Sequence, residues 1–470
     1  MSVNEMGEGE ERLMQVSPHI FREYDIRGVV ERDLGGDVPE LIGRAFASEL
    51  RSRRGGAAGL TVAVGRDNRP SSPALAEGVM RGIRAAGVNV IDVGTVPTPV
   101  LYWSARRFAT DGGVQITGSH NPPEYNGFKL LVGDRALHGE AIQRLRARIE
   151  REEFESGAGT REGREVYGLY IEDVASRFAL SRPVKVVVDC GNGTGSLVAV
   201  ELLTRIGAEV VPLYCESDGT FPNHHPDPVI DENLRDLIAR VREEEADLGV
   251  AFDGDADRIG AVDERGGIVR GDLLLLLYGL DVLERRGPGQ KLVFDVKCSQ
   301  AVPEVFAARG GEPIMWKTGH SLMKEKMKEV GAPVAGELSG HVCFADEYYG
   351  FDDALYAACR LVDLVARAEK PLSELVAEFP AYVSTPEIRV DVPEEQKFEI
   401  VRRAVEEFGR QYDVIAVDGA RVQFGDGWGL LRASNTQPVL VLRFEARTRE
   451  RLDEIRRLME DWLREQGVRV

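Results

Sequence analysis

The chain contains 470 residues, of which 43% are hydrophobic and 29% are charged. This balance is typical of a globular protein and excludes a disordered one, and the length suggests roughly three to four domains. The 59 Lys and Arg residues against 78 Asp and Glu residues give a formal net charge of −19, which disfavours general binding to nucleic acid or to an anionic membrane.

The sequence predicts a cytoplasmic protein without a signal peptide or a membrane span. Residues 1–13 are acidic and have neither the basic nor the apolar region of a signal peptide. The longest leucine-rich stretch, residues 273–277, is far shorter than the about 20 residues that cross a bilayer. The five cysteines have no CxxC spacing, which predicts buried thiols in a reducing compartment and neither a zinc site nor a disulfide framework. These cysteines are Cys190, Cys215, Cys298, Cys343 and Cys359.

Three segments share one plan, in which an apolar strand leads through a short loop into an amphipathic helix and then into a second strand. The first strands of the three segments are predicted at residues 60–64, 184–188 and 292–296. In the first segment, Ser72 before Pro73 is expected to cap the helix. Strand–helix–strand crossovers imply mostly parallel sheets covered by helices, so we predict three similar α/β domains.

The plan changes beyond Thr385. Short strands are predicted at residues 387–390 and 439–444, followed by a final helix whose apolar positions include Leu452, Ile455 and Leu458. The predicted fold is therefore three similar α/β domains with mixed or parallel sheets and a smaller C-terminal α+β domain, around a central cleft. The predicted domain ranges are 1–165, 166–270, 271–382 and 383–470.

Three aspartates follow the predicted strand of residues 248–252 and indicate a metal site. Asp253, Asp255 and Asp257 alternate along one turn, and carboxylates held so close together are stabilised by a cation. The spacing also fits a calcium loop, but position six is Arg258 where that loop needs Gly, and strands flank the turn. Mg²⁺ is therefore preferred, with a solvated acidic turn as the alternative.

A serine turn and two further loops are candidates for phosphate and sugar chemistry. Ser119 lies between a glycine and a histidine and before two prolines, so it could be a nucleophile, a phosphate carrier or an ordinary turn residue. The loop of residues 337–341 offers Glu337 and Ser339, which suit sugar hydroxyls. The loop of residues 432–438 could be a polar hairpin, but it also offers donors suited to phosphate. These are Arg432, Ser434, Asn435 and Thr436.

Together and in this order, the loops resemble the α-D-phosphohexomutase family, and within it the bacterial phosphomannomutase/phosphoglucomutase branch. The stretches that carry the resemblance extend over nearly the whole chain. They are residues 24–28, 117–123, 221–226, 253–258 and 337–341, Lys297, His320, and residues 432–438.

The resemblance implies specific roles for these residues. Ser119 would be phosphorylated, and one Mg²⁺ would be bound by Asp253, Asp255, Asp257 and the seryl phosphate. Residues 337–341, including His341, would bind the sugar, and residues 432–436 would bind a phosphate group. Other residues that would line the active site are Tyr24, Arg27, His120, Lys129, Arg258, Lys297 and His320.

The implied activity is reversible conversion of hexose 1-phosphate to hexose 6-phosphate, for mannose, glucose or both, through a phosphoserine and a hexose 1,6-bisphosphate. Arg27, Lys129 and Arg258 would stabilise the transferred group, and His341, His120 or Lys129 would move the proton. The expected partners are small phosphosugars, the expected state is a monomer, and the last domain is expected to close over the cleft. The alternatives are a Mg²⁺-dependent sugar-phosphate phosphatase with Asp253 as nucleophile, and a non-catalytic sugar-phosphate sensor.

Overall fold

The chain forms four β-sheets in a computed structural model that describes residues 16–435 and 437–470. Each sheet lies within one of the four predicted domain ranges, although the exact domain boundaries remain a prediction. Short 3-10 turns occur at Pro18–Ile20, Thr194–Leu197 and Asp231–Leu234.

The first sheet has seven strands, ordered β1-β5-β4-β2-β3-β7, with β6 paired to β5. Its strands are β1 (Ile26–Val29), β2 (Thr61–Arg66), β3 (Asn89–Thr95), β4 (Gly112–Ile116), β5 (Tyr125–Val132), β6 (Arg135–Ala136) and β7 (Arg161–Gly163). The helices are α1 (Val30–Asp33), α2 (Val38–Arg53), α3 (Ser72–Ala85), α4 (Thr98–Arg107) and α5 (Glu140–Glu150).

The second sheet has the order β12-β11-β10-β8-β9. Its strands are β8 (Lys185–Asp189), β9 (Glu209–Leu213), β10 (Leu248–Phe252), β11 (Ile259–Asp263) and β12 (Ile268–Val269). The helices are α6 (Tyr167–Ala175), α7 (Ala199–Arg205) and α8 (Arg235–Glu243). Three consecutive valines fill β8 and are fully buried, as expected for a strand covered on both faces.

The third sheet has the order β14-β13-β15-β16. Its strands are β13 (Lys291–Asp295), β14 (Glu312–Trp316), β15 (Val334–Gly336) and β16 (Val342–Phe344). The helices are α9 (Gly271–Arg286), α10 (Ala301–Ala308), α11 (His320–Val330), α12 (Ala354–Arg367) and α13 (Leu372–Ala377).

These three sheets contain the same four-stranded unit. In each, a first strand (β2, β8 or β13) lies between two parallel neighbours. One of these neighbours, the outer parallel strand (β4, β10 or β15), also pairs with an antiparallel strand (β5, β11 or β16). The predicted fold class, with three similar α/β units, is confirmed.

The last sheet is antiparallel and has the order β17-β22-β21-β20-β19, with β18 paired to β22. Its strands are β17 (Val383–Ser384), β18 (Ile388–Asp391), β19 (Asp413–Ile415), β20 (Ala420–Gln423), β21 (Gly427–Ala433) and β22 (Val439–Ala446). The helices are α14 (Lys397–Phe408) and α15 (Arg449–Glu465). The predicted final helix is α15, in which Leu452, Ile455 and Met459 form the buried stripe and Leu458 is exposed.

Two local predictions were wrong. Ser71 is the residue that precedes α3, while Ser72 is its first helical residue and donates its hydroxyl to the Asp67 carboxylate. Cys215 is only half buried, unlike the other four cysteines. All five cysteines are free thiols, and the Cys215 sulfur lies 3.2 Å from the Cys190 sulfur.

The cores divide the molecule into a large body and a smaller unit. One continuous core extends through the first three sheets and includes Val96, Val186 and Leu274. The last sheet packs its helices around a core of its own, and only a small cluster of Val296, Trp428 and Leu430 joins it to the third unit. Within residues 16–435 and 437–470, no helix is both long and apolar enough to span a bilayer.

Helices α2 and α3 pack in direct backbone contact, which requires glycine at the crossing. A Cβ added to Gly82 of α3 would collide with the Glu40 carbonyl oxygen, and one added to Gly43 of α2 would collide with the Val79 carbonyl oxygen. We therefore predict that Gly82→Ala lowers the free energy of unfolding by about 1–3 kcal/mol, because overpacking outweighs the gain in helix propensity. Chemical denaturation followed by circular dichroism measures this change.

Gly168→Ala is the matched control. Gly168 is exposed in α6 with no atom within 4 Å of an added Cβ, so the same substitution should leave stability unchanged or raise it by about 0.5–1 kcal/mol. If both substitutions changed the free energy of unfolding equally, the close contact between α2 and α3 would not be the reason for glycine at position 82.

Candidate active site

Four loops meet at one cleft, and three of them occupy the same place in the repeated unit. The loops that begin at residues 117, 253 and 337 each connect the outer parallel strand to the antiparallel strand, namely β4 to β5, β10 to β11 and β15 to β16. Ligands of α/β sheets bind outside the carboxyl ends of the parallel strands, where these loops lie. The fourth loop connects β21 to β22.

Ser119 is held in a strained conformation beside the aspartates. Its φ is +48°, a left-handed value that costs energy for a residue with a side chain. Its hydroxyl donates to Asp253 Oδ2 at 2.8 Å and lies 3.2 Å from His120 Nδ1. The serine predicted as a candidate nucleophile or phosphate carrier is therefore in direct contact with the predicted metal loop, 134 positions later in the chain.

Arg69 fixes the serine loop and was missed by the sequence analysis. It is fully buried, and its guanidinium donates to the carbonyl oxygens of Ser119 (2.8 Å), Asn121 (2.6 Å), Pro122 (2.6 Å) and Tyr125 (3.1 Å). Gly118 leaves room for this guanidinium, because a Cβ there would collide with it. The only signal in the sequence was the polar run of residues 66–71 directly after a strand.

The three aspartates are completely buried beneath the cleft. Asp253 Oδ1 accepts the amides of Asp257 and Arg258 at 3.1 Å each, which closes the loop. Asp255 Oδ2 accepts from Thr98 Oγ1 at 2.5 Å and from Lys129 Nζ at 2.8 Å, and Lys129 also contacts Asp257.

The electrostatics of the loop leave excess negative charge. Burial and the neighbouring charges of Asp255 and Asp257 hold the pKa of Asp253 well above its usual range. Burial disfavours the ammonium of Lys129, but the two aspartates outweigh burial and hold its pKa well above its usual value. Lys129 is therefore a permanent cation, and its single charge does not balance three carboxylates.

The residues fit a hard divalent cation. One carboxylate oxygen from each aspartate lies within 4.8 Å of the others. Asp255 Oδ1 is buried and has no hydrogen-bond partner among the described residues. An oxygen-only donor set with an unsatisfied carboxylate oxygen is suited to Mg²⁺.

A second group with ligand-type atoms, Asp257, His341 and Asp352, shares one aspartate with the first. The ring nitrogens of His341 already have anionic neighbours there, since Nδ1 lies 3.0 Å from Glu337 Oε2 and Nε2 lies 3.3 Å from Asp257 Oδ1. Burial disfavours the imidazolium, but these carboxylates raise the pKa of His341 to about 9. A protonated imidazole is not a metal ligand, so the aspartate trio is the better cation site.

The loop of residues 337–341 is anchored to the start of helix α11. Glu337 Oε1 accepts the Gly319 amide at 2.6 Å, and Oε2 faces His341. Burial would raise the pKa of Glu337, but His341 and Lys297 hold it at about 2, so it is ionised. The rings of His320 and His341 stack with centroids 5.4 Å apart.

The loop of residues 432–438 faces the first unit across the cleft. Arg432 Nε donates to Asp418 Oδ2 at 2.6 Å, and Asn435 Nδ2 donates to the Tyr24 hydroxyl at 2.9 Å. The Tyr24 hydroxyl in turn donates to the carbonyl oxygen of Thr318 at 2.8 Å. Three units are thus joined around the cleft by one chain of hydrogen bonds.

All of the predicted site residues that the structure describes lie in or directly beneath this cleft, which has a volume of about 1140 Å³. Thr436 lies outside the described residues. The predicted residues that line the cleft are Tyr24, Arg27, Ser119, His120, Lys129, Arg258, Lys297, His320, Glu337, Ser339, His341, Arg432, Ser434 and Asn435.

Two other polar groups that hold these residues were also missed. Thr98 binds Asp255, and Glu387 binds Lys297 Nζ at 3.0 Å. Neither residue belongs to a recognisable motif, and each acts on a partner at least 90 positions away in the chain. The sequence carries no local signal for such contacts.

Comparisons with known proteins identify successive parts of the chain. The domain described as "Phosphoglucomutase/phosphomannomutase, alpha/beta/alpha domain I" matches residues 18–156. Domains II and III of the same description match residues 168–267 and 270–382, and the corresponding C-terminal domain matches residues 387–461.

Relatives match the chain nearly end to end. It is 48% identical over 447 residues to the phosphomannomutase/phosphoglucomutase of Pseudomonas aeruginosa, covering 95% of both proteins. It is 44% identical over 449 residues to a phosphoglucomutase of Neisseria gonorrhoeae, covering 94% of this chain and 96% of the relative. A crystal structure of a phosphoglucomutase/phosphomannomutase family protein from Burkholderia thailandensis gives a TM-score of 0.89 at 44% identity, covering 96% of this chain and 97% of that one.

The four carbonyl bonds of Arg69 predict that this residue orders the serine loop. In Arg69→Met, the carbonyl groups of residues 119–125 lose their common donor, so the loop should open more often. We expect amide hydrogen exchange in residues 118–126 to become at least about tenfold faster, the equivalent of about 1.4 kcal/mol of lost local stability.

Arg66→Met is the matched control. Arg66 lies three residues earlier, is half buried, and pairs with Asp92 at 3.2 Å away from the serine loop. Its replacement should leave exchange in residues 118–126 unchanged. Unchanged exchange in Arg69→Met as well would contradict the anchoring role.

Proposed function

The chain belongs to the phosphoglucomutase/phosphomannomutase family and is an isomerase that acts on hexose phosphates, and we propose that Ser119 carries the phosphoryl group that it transfers. The single observation that supports this role most strongly is the 2.8 Å contact between Ser119 Oγ and Asp253 Oδ2. It places a hydroxyl at the edge of a buried carboxylate trio and opposite a loop rich in phosphate donors.

In the first half of the reaction, phosphorylated Ser119 gives up its phosphoryl group. The free hydroxyl oxygen of a hexose monophosphate forms a bond to phosphorus while the bond from phosphorus to Ser119 Oγ breaks. The products are a hexose 1,6-bisphosphate and unmodified Ser119. The predicted acceptors of the proton from the attacking hydroxyl, His120, Lys129 and His341, all line the cleft. Lys129 and His341 are already protonated, whereas burial and the charge of Arg258 hold the pKa of His120 well below its usual value, so we propose His120 as the acceptor.

In the second half, the bisphosphate turns end over end and returns its other phosphoryl group to Ser119. The distal loop must then bind either phosphate of the sugar, which suits Arg432, Ser434 and Asn435 because their donors recognise phosphate and not the ring. Glu337 and Ser339 also line the cleft, and we propose that they bind the ring hydroxyls of the sugar in both of its orientations. These hydroxyls are common to glucose and mannose, so we propose that both sugars are substrates.

Asp253, Asp255 and Asp257 would bind one Mg²⁺ together with the seryl phosphate. When bound, the ion supplies charge neutralisation for the phosphoryl group in transfer. Lys129, which is buried, and Arg258, which is half-buried, both line the cleft and extend this positive potential, and Arg27 lies on the serine-loop side.

A phosphatase with Asp253 as the nucleophile is less compatible with the geometry. Both carboxylate oxygens of Asp253 are already bonded, Oδ1 to two amides and Oδ2 to Ser119, and the side chain is fully buried. A phosphoryl group arriving from the cleft would meet Ser119 first. A pure sensor would not need a serine in strained contact with a cation site.

We further propose that the enzyme works as a cytoplasmic monomer. All cleft residues described above come from one chain, so the site does not require a partner subunit. The separate core of the last unit supports its closure over the bisphosphate, which must be retained while it turns.

Peptide mass spectrometry and product analysis test the proposed carrier. Purified enzyme incubated with glucose 1,6-bisphosphate should carry one phosphate on the peptide that contains Ser119, and glucose 1-phosphate should yield glucose 6-phosphate without free phosphate. In Ser119→Ala, we expect the turnover number to decrease by at least about 10³-fold, since the acceptor oxygen is gone.

Ser176→Ala is the control, because Ser176 is exposed and donates only to a backbone carbonyl far from the cleft. It should keep full activity. Release of inorganic phosphate by wild type, together with retained activity of Ser119→Ala, would instead support the phosphatase.

Calorimetric titration tests the proposed Mg²⁺ site. Asp255→Asn removes one of the three carboxylate charges, and we expect the affinity for Mg²⁺ to weaken by at least about tenfold. Glu243→Gln, an exposed acidic position of the same unit, should bind Mg²⁺ as wild type does. The metal assignment would be wrong if Asp255→Asn bound the ion as tightly as Glu243→Gln.

A further inference from the structure

Lys324 is a buried cation that neither the family-derived roles nor the mechanism above uses. It lies one helical turn after His320 on α11, and its side chain is 13% exposed. Its Nζ donates to Asp352 Oδ1 at 2.7 Å, lies 3.2 Å from His320 Nδ1 and stands 4.7 Å from the centroid of the Tyr102 ring. His320 lines the cleft, whereas Lys324 and Asp352 contact His320 without lining the cleft themselves.

The charge on Lys324 is secured by its surroundings. Asp352 is fully buried and pairs with it, and the face of an aromatic ring attracts a cation. Burial disfavours the ammonium, but the Asp352 carboxylate outweighs burial and raises the pKa of Lys324. Nζ is therefore a donor only, with no lone pair to offer to a ring nitrogen.

A ring nitrogen that accepts from an ammonium cannot itself carry a proton. The contact with Lys324 therefore makes Nδ1 of His320 the unprotonated nitrogen, and in a neutral imidazole the proton is then on Nε2. Burial and the charge of Lys324 lower the pKa of His320, which favours the neutral ring.

Asp352 favours the opposite tautomer, since its Oδ2 lies 3.2 Å from the same Nδ1 and could accept a proton from it. This oxygen, however, is buried and has no aligned hydrogen bond among the described residues. The contact between Lys324 and Nδ1 does meet the geometry of a hydrogen bond. The geometry thus selects the Lys324 contact over the Asp352 contact.

Resting on the function proposed above, we propose that Lys324 is a positioning residue that fixes His320 as the Nε2–H tautomer, so that His320 donates a hydrogen bond to an oxygen of the bound sugar phosphate. Nε2 has no hydrogen-bond partner among the described residues, and it is the nitrogen left on the side of the cleft. Stacking on His341 holds the plane of the ring. Lys324 therefore acts on the substrate only through His320.

Nuclear magnetic resonance of the protein labelled with ¹⁵N-histidine tests the tautomer directly. The chain has seven histidines, and the signals of His320 are assigned by their loss in His320→Gln. Wild-type enzyme should show the proton of His320 on Nε2, and a proton on Nδ1 would overturn the proposal. In Lys324→Met the proton should move to Nδ1, where Asp352 accepts it, whereas Lys324→Arg keeps a donor and should keep the wild-type tautomer.

A double-mutant cycle with mutase kinetics tests the consequence. Lys324→Met should lower kcat/KM for glucose 1-phosphate by about tenfold, the usual cost of one hydrogen bond to a charged group, mainly through KM. His320→Gln replaces the ring donor with an amide donor that needs no tautomer, so adding Lys324→Met to it should change kcat/KM by less than about twofold. An equal loss in both backgrounds would overturn the positioning role.

The two measurements separate this inference from the proposed function. If wild type converts no glucose 1-phosphate, the proposed function fails, yet the wild-type spectrum still decides the tautomer. The wild-type spectrum, assigned with His320→Gln, decides the tautomer without Lys324→Met. The proposal can therefore still be contradicted if Lys324→Met fails to fold because Asp352 is left buried and unpaired.

Discussion

The contact between one serine hydroxyl and a trio of buried carboxylates is the interaction on which the rest of this site depends. Three aspartates within one six-residue loop repel each other strongly once they are removed from water. The fold tolerates them because backbone amides, Ser119, Thr98 and Lys129 donate to four of their six oxygens. Asp255 Oδ1 has no hydrogen-bond partner among the described residues, and Lys129 alone does not balance three carboxylates, which supports the proposed divalent ion beside Ser119.

Repetition of one supersecondary unit explains why the chemistry is concentrated in a single cleft. The serine loop, the aspartate loop and the loop of residues 337–341 occupy the same connection in three copies of a four-stranded arrangement. The copies share a core that holds these connections together, while each loop carries a different set of polar residues. The last unit, which has another topology and its own core, supplies the distal donors and is attached mainly by polar contacts such as that of Asn435 with Tyr24.

Much of the fold and of the candidate site could be predicted from the sequence, because short motifs indicate their own chemistry. Contacts that depend on long-range packing could not be predicted. The aspartate alternation and the serine turn are short motifs whose residue types alone suggest a cation and a phosphate carrier, and the three repeated strand–helix–strand segments fixed the fold class. Arg69 could not be predicted, because its role comes from carbonyl groups 50 to 56 positions away. In α15 the adjacent apolar residues Leu458 and Met459 differ in burial, because packing against the last sheet decides which of them faces the core.

Anomalous diffraction from crystals of the phosphorylated enzyme soaked in Mn²⁺ tests the central claim most directly, because it locates the ion relative to every candidate ligand at once. The account predicts one anomalous peak in contact with Asp253, Asp255 and Asp257 and with a phosphate oxygen on Ser119. A peak among Asp257, His341 and Asp352 instead, or the absence of any peak beside Ser119, would contradict it.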